Sequence, residues 1–469
     1  MSELAWFALL VTGYFGLVNT VYLVQLVVGW RAVRRRNRVL ALEDFQDLRD
    51  SGLAPPISIV VPAHNEGKTI LDSVRSLLSL RYPRLEVVVV NDGSTDDTLP
   101  QLIAAFGLRQ TPRVYWQRIR SKPVRAIYWS PAHPGLWVLD KVNGRKADAA
   151  NAGINLASAP YVCVVDGDSV LERDAMRAIM HAVLPRPGET VAAGGTIRIA
   201  NGSEFGPSGA TRVRTPRGFL ATSQVLEYLR AFLFGRMAWS ELDSLLIVSG
   251  AFGVFRKDVV VEVGGFRHET VGEDMDLVVR MHRHLRGAGR PYRVAFVPDP
   301  VCWTECPETL RGLRSQRERW QRGLGETLEH NHEMLASPRF GRIGLFAMPY
   351  LMVFEYLAPL LEVAGFAILP VGWALGLLDR SSLLLFIGVA LAYGLCLSLA
   401  TLLLEELSFR RYTEPRDLLR LSGAAVLENF GLRQLHSWWR LVALLTWRGR
   451  TQSWGSAPRR GFQPAGSAP

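Results

Sequence analysis

Acidic residues recur where apolar runs end, and chemistry is first to be sought there. His64-Asn65-Glu66 follows the run Ile57 to Pro62, Asn91-Asp92 closes Leu85 to Asn91, and Asp166-Gly167-Asp168 follows Tyr161 to Val165. Carboxylates cannot bind a phosphate directly, but they can hold a hard divalent cation that does. In Asp166-Gly167-Asp168 the two acids are separated by a glycine that permits a tight turn, so both can reach one ion or one ribose; a solvated turn would look the same. Val271-Gly272-Glu273-Asp274-Met275-Asp276 opens a segment with apolar residues at helical spacing, Met275, Leu277, Val278, Met281 and Leu285. Its acids fall in a first helical turn, where they also complement the macrodipole. Gln316, Arg319 and Trp320 stand at i, i+3 and i+4 and share one helix face. A salt-bridged surface helix explains the charges there but not the tryptophan.

The elements that must position these groups alternate. Ile57 to Pro62, Leu85 to Asn91 and Tyr161 to Val165 read as buried strands. Thr69 to Leu80 and Lys146 to Leu156 read as helices, and Ser94 and Asp97 have the spacing of a capping box. From Pro55 to about Pro300 this predicts a doubly wound α/β domain with a mostly parallel sheet, in which ligands bind outside the carboxyl ends of the strands. No GxGxxG follows the first strand and no GxxxxGK[ST] occurs anywhere, so the phosphate cradles of dinucleotide and P-loop proteins are missing.

Composition adds a membrane. The 469 residues are 48% hydrophobic and 21% charged, too apolar for a disordered chain. Leu4 to Trp30 is apolar, with Arg31, Arg34, Arg35, Arg36 and Arg38 behind it and no basic residue before it. A signal peptide carries its charges first, so this reads as an uncleaved anchor, its N-terminus outside and the following domain cytoplasmic. Ile343 to Leu378, interrupted by Glu355 and Glu362, and Ser382 to Leu404 read as a transmembrane hairpin turned at Asp379-Arg380-Ser381. The two glutamates share a face and serve either a polar path for a product or hydrogen bonds to a neighbouring helix. Asp417 to Trp447 is helical in period but carries Arg420, Glu428, Arg433, His436 and Arg440, which suits an interfacial amphipathic helix better than a span. Arg448, Arg450, Arg459 and Arg460 keep the tail cytoplasmic. The net charge of +11 is thus mostly juxtamembrane, and a nucleic-acid partner loses its support. Four cysteines exclude a disulfide scaffold, and Cys302 and Cys306 lack the second pair of a zinc site.

Taken in order, these stretches resemble the family 2 glycosyltransferases, in particular the membrane-embedded processive β-glycan synthases that make cellulose, chitin, hyaluronan and poly-N-acetylglucosamine. The matching segments are VVPAHNE (60–66), VVVNDGSTDDT (88–98), NGRKADAANAGIN (143–155), VVDGDS (164–169), SGAFGVFRK (249–257), GEDMDL (272–277) and QRERW (316–320). The resemblance implies a GT-A fold and a nucleotide-sugar donor, UDP-linked. By the same resemblance Glu66, Asp92, Lys146, Asp148 and Asp166 would serve the nucleotide, and Asp166 and Asp168 a Mg²⁺ or Mn²⁺. Asp274, with Glu273 beside it, would be the catalytic base. Gln316, Arg319 and Trp320 would hold the donor diphosphate and the acceptor. Two residues depart from the pattern: Gly272 stands where a Thr is frequent, and His64 is not required.

The organisation implied is an anchor with basic segment over 1–50, a GT-A domain over 51–300 and interfacial helices with the QxxRW motif over 301–342. A transmembrane hairpin over 343–404 and an amphipathic helix with basic tail over 405–469 complete it. The leading expectation is an inverting plasma-membrane polysaccharide synthase with a polysaccharide acceptor and an accessory export partner. Its alternatives are a non-processive transferase acting on a lipid carrier and an inactive nucleotide-sugar-binding scaffold. QRERW favours the first, and the presence of Asp168 and Asp274 disfavours the scaffold.

Overall fold

The computed structural model describes residues 3–40, 54–206 and 209–446. The end of the basic segment after the first span and the arginines of the tail lie outside the described residues. The chain divides into an α/β unit, Arg35–Val213 with Leu242–Cys306, and a helical unit made of residues up to Arg34, Arg214–Glu241 and the described residues from Pro307 to Thr446.

In the α/β unit, β1 (Ile57–Ala63), β2 (Leu85–Asp92), β3 (Arg109–Gln110), β4 (Val124–Trp129), β5 (Leu136–Lys141) and β6 (Tyr161–Val165) precede β7 (Val170–Leu171) and β8 (Thr190–Ile199). A separate hairpin, β9 (Glu204–Gly206) and β10 (Gly209–Arg212), comes next, and β11 (Phe252–Arg256) and β12 (Arg293–Thr304) complete the unit. The main sheet runs β3-β4-β5-β2-β1-β6-β11-β8-β12-β7. It is a mixed sheet, parallel through β5-β2-β1-β6 and again between β8 and β12, with β11 inserted antiparallel. The apolar runs of β1, β2 and β6 follow from burial on both faces, which leaves no position for a polar alternation. The Arg145–Leu156 helix lies close on this sheet because Gly153 has no side chain; a Cβ there would collide with Val60 and stand 3.0 Å from Val90 Cγ2. Parallel strands put the carboxyl ends of β1, β2, β5 and β6 on one edge.

The expected capping box is absent. The helix Thr98–Phe106 has no side-chain cap from Asp97, and Ser94 Oγ instead accepts from Asn65 N at 3.0 Å. Asp96 does the capping work, accepting from Thr98 N at 3.0 Å and from Gly67 N at 3.1 Å. The turn after β2 is thereby tied to the turn after β1.

In the helical unit, Glu3–Val39, Ile343–Ala374 and Arg380–Ser408 are long and apolar enough to cross a membrane. Val11, Phe15, Leu369 and Phe386 form part of their shared core, with Phe15 edge-on to Phe386 at 5.3 Å. Glu355 accepts from Tyr22 Oη at 3.2 Å and pairs with Arg440 at 3.6 Å, and Glu362 accepts from Ser437 Oγ. Both acids thus have partners on neighbouring helices. Asp417 to Trp447 is not one helix. Pro415–Leu427 and Leu432–Thr446 are separate, because Gly431 turns the chain with φ 96°. Glu428, buried at that turn, pairs with Arg230 at 3.1 Å and Arg433 at 2.7 Å.

Candidate active site

The site is built on the carboxyl edge of the parallel strands. Asp166 and Asp168 occupy the turn between β6 and β7, Asp168 buried and Asp166 partly exposed. Ser169 N donates to Asp166 O at 3.0 Å and Ser73 Oγ to Gly167 O at 2.6 Å, which fixes the turn. Glu66 lies next to it: a Cβ on Gly167 would stand 3.6 Å from Glu66 Cγ. Its carboxylate accepts from Thr69 Oγ1 at 3.0 Å.

Lys146, in the first turn of the Arg145–Leu156 helix, draws the acids together. Its Nζ is 2.6 Å from Asp166 Oδ1 and 3.5 Å from Glu273 Oε1. Burial alone would lower this ammonium's pKa, but attraction from Asp166 and Glu273 outweighs it and holds the group above its ordinary range. Glu273 is 5% exposed. Burial pushes its carboxyl up to about 7; Lys146 opposes the shift and Asp274 adds to it. Asp274 opens the Glu273–Gly287 helix with Oδ2 accepting from Gly250 N at 2.9 Å and Oδ1 from Met275 N at 2.8 Å. Gly250 admits this approach because it has no Cβ, which would crowd Lys146 Nζ at 3.2 Å and Asp274 Oδ2 at 3.4 Å. Asp276 is 0% exposed, between Arg267 at 3.1 Å and Arg280 at 2.7 Å, and so plays a structural part.

Asp92 and Asp148 meet on a different cation. Lys141, the last residue of β5, lies 2.6 Å from Asp92 Oδ1 and 2.5 Å from Asp148 Oδ1. Asp92 Oδ1 also accepts from Gly144 N at 2.9 Å, and Asp148 from Lys122 N at 3.1 and 3.0 Å. His64, exposed, has its Nδ1 3.0 Å from Asp92 O.

Gln316, Arg319 and Trp320 belong to the helical unit, on the Leu310–His330 helix capped by Thr309 Oγ1, which accepts from Gly312 N at 3.2 Å. The Trp320 ring packs 5.9 Å from Phe232, with the Arg317 guanidinium 4.5 Å above it. Arg317 is buried and forms a bidentate pair with Glu227, one arm at 2.8 Å.

The structure therefore gathers Lys146, Asp166, Glu273 and Asp274 into one cluster, brings Glu66 to the Asp166-Gly167-Asp168 turn, and seats Asp92 and Asp148 on Lys141. Sequence reasoning did not single out Gly250, Gly144 or Lys141. The two glycines lie inside matched motifs; Lys141 had no signal beyond being polar at the end of an apolar run.

A mixed α/β sheet with acids crowding the carboxyl edge is the arrangement of a GT-A transferase. The fold matches that of a mannosyltransferase from Pyrobaculum calidifontis, in complex with GDP-Man and Mn²⁺, with a TM-score of 0.53 and 20% identity over 92% of this chain and 99% of that one. The family description "Glycosyl transferase family 2" matches residues 58–128, and "Glycosyltransferase like family 2" matches residues 121–323. The chain carries a family 2 glycosyltransferase domain and resembles the processive synthases of that family. It is 28% identical over 313 residues to poly-β-1,6-N-acetyl-D-glucosamine synthase of Staphylococcus aureus (strain COL), and 27% over 304 residues to that of Staphylococcus epidermidis. These matches take in 66% and 64% of this chain but 62% and 61% of the relatives.

Proposed function

We propose that the chain is an inverting membrane glycosyltransferase that moves a sugar from a UDP-linked donor onto a growing β-linked polysaccharide. The observation that carries the reading is the cluster of Asp166, Glu273 and Asp274 around Lys146 at the carboxyl edge. Asp274, oriented by Gly250 N, takes the proton of an acceptor hydroxyl. That oxygen bonds the anomeric carbon as the bond to the diphosphate breaks, and one displacement turns an α-linked donor into a β-linked product. Lys146 contributes positive charge near the leaving group and Glu273 holds it in place. Glu66, Asp92 and Asp148 border the nucleotide, and Gln316, Arg319 and Trp320 serve diphosphate and acceptor.

Asp166 and Asp168 would hold the divalent ion. The turn presents two carboxylates two residues apart, Asp166 partly exposed, with Glu66 beside it. That suits Mg²⁺ or Mn²⁺, which take one or two carboxylates and fill the remaining positions with water and phosphate. When bound, such an ion neutralises charge on the leaving diphosphate. The names of the staphylococcal relatives support N-acetylglucosamine as the sugar to test first. The three apolar helices and the arginines after Trp30 support a plasma-membrane protein with its α/β unit in the cytoplasm; product export with an accessory partner is part of the same proposal.

The test is purified full-length protein in lipid, given labelled UDP-sugars, UDP-N-acetylglucosamine first, with Mn²⁺ or Mg²⁺. A ladder of polymer is expected. A single sugar on a lipid would refute the polymer reading, and no transfer from any nucleotide sugar would refute the whole proposal.

A further inference from the structure

We infer that Lys141 is a positioning residue that holds the loops of the carboxyl edge in their donor-binding arrangement, an inference that rests on the proposed function. Lys141 is 0% exposed. Its Nζ donates to Asp92 Oδ1 and to Val142 O, both at 2.6 Å, and forms an ion pair with Asp148 Oδ1 at 2.5 Å. A lysine buried this completely is rare and needs such pairing.

What hangs from it is the ligand edge of the sheet. Asp92 ends β2, and its carboxylate also takes the Gly144 N–H at the entry to the Arg145–Leu156 helix. Its main-chain oxygen takes Asn143 Nδ2 at 2.9 Å and faces His64 Nδ1 at 3.0 Å, so the loop after β1 is included. Asp148 holds Lys122 N through both oxygens, which fixes the approach to β4. The same helix carries Lys146, two residues before Asp148, which reaches Asp166 at 2.6 Å. One ammonium thus ties the ends of β1, β2 and β5 to the helix start that supplies the active-site lysine. Packing alone could have closed this spot with an apolar residue. Two carboxylates turned inward onto one lysine instead fix the loops by direction as well as by volume, because charge-assisted hydrogen bonds demand geometry.

The experiment compares wild type with Lys141→Met and with Lys141→Gln, which keeps N–H donors on a shorter, neutral side chain. Donor KM should rise about ten-fold or more, the loss expected when a charged hydrogen-bond centre is removed, with kcat per folded enzyme within about three-fold. Hydrogen exchange should quicken in 64–67, 92–98 and 143–149 and stay unchanged in β8. A lysine that merely stabilised the fold would lower the amount of active enzyme and leave KM alone; that result, or unchanged exchange in the three loops, would overturn the inference. If Lys141→Met does not fold, Lys141→Gln carries both measurements. Should wild type transfer no nucleotide sugar, the proposed function falls, and the exchange data still decide whether Lys141 clamps the loops.

Discussion

Replacing Glu273 by Gln removes a carboxyl that the fold keeps protonated far above its ordinary range. In the folded protein its pKa is about 7 against an ordinary 4.5, a gap of about 2.5 pH units, which is worth about 3 kcal/mol. The sign follows from proton binding. Between pH 4.5 and 7 the folded protein holds the Glu273 proton and the unfolded chain has released it. Wild type therefore loses stability as pH rises through that window and levels off above it, while Glu273→Gln has no such loss. The difference in stability, wild type minus variant, should fall by about 3 kcal/mol from pH 4.5 to above 7, roughly 6–12 °C of melting temperature for a domain of about 200 residues. Thermal melts of ligand-free protein in lipid at half-unit pH steps measure it. A difference that is flat or rising over that range would refute the assignment of Glu273 as a buried acid beside Lys146.

Asp274→Asn should slow transfer by about 10²–10⁴-fold and keep UDP binding by calorimetry; near-normal turnover would remove the base from this position. Asp168→Asn should abolish most activity and most dependence on the divalent ion, and an unaltered Mn²⁺ titration would place the ion elsewhere. Trp320→Ala should shift products from polymer towards short oligomers or free sugar with donor binding largely kept. Gel analysis showing unchanged chain length would refute an acceptor role for that ring.

Part of this molecule is readable from its residues because the physics there is local. β1, β2 and β6 are apolar without alternation, a pattern that central strands of a covered sheet produce, and acids at their ends have few structural reasons to be there. The rest depends on what the fold brings together. Asp276 looks like a third acid of the Glu273 cluster until Arg267 and Arg280 are seen to enclose it. Lys141 takes its meaning from Asp92 and Asp148, one 49 residues before it in the sequence and one seven residues after it. Asp96, rather than the better-spaced Ser94 and Asp97, caps the helix after β2 because Asn65 claims Ser94. Asp417 to Trp447 reads as one helix by its period, whereas Gly431 turns the chain and buried Glu428 near that turn meets Arg230 and Arg433.

The partners of Glu355 and Glu362 impose an order of assembly. Both acids lie on the second apolar segment, and synthesis delivers that segment to the bilayer well before Arg440 and Ser437 leave the ribosome. Until then Tyr22 is the partner already made for Glu355, and an acid in lipid without full partners costs a few kcal/mol. The Leu432–Thr446 helix therefore acts as a late fastener: its arrival turns two unfavourable carboxylates into interhelical links. Nascent chains stopped near residue 430 should be recognised as unfinished and cleared faster in pulse-chase labelling than full-length chains; equal lifetimes would show that the fastening is dispensable.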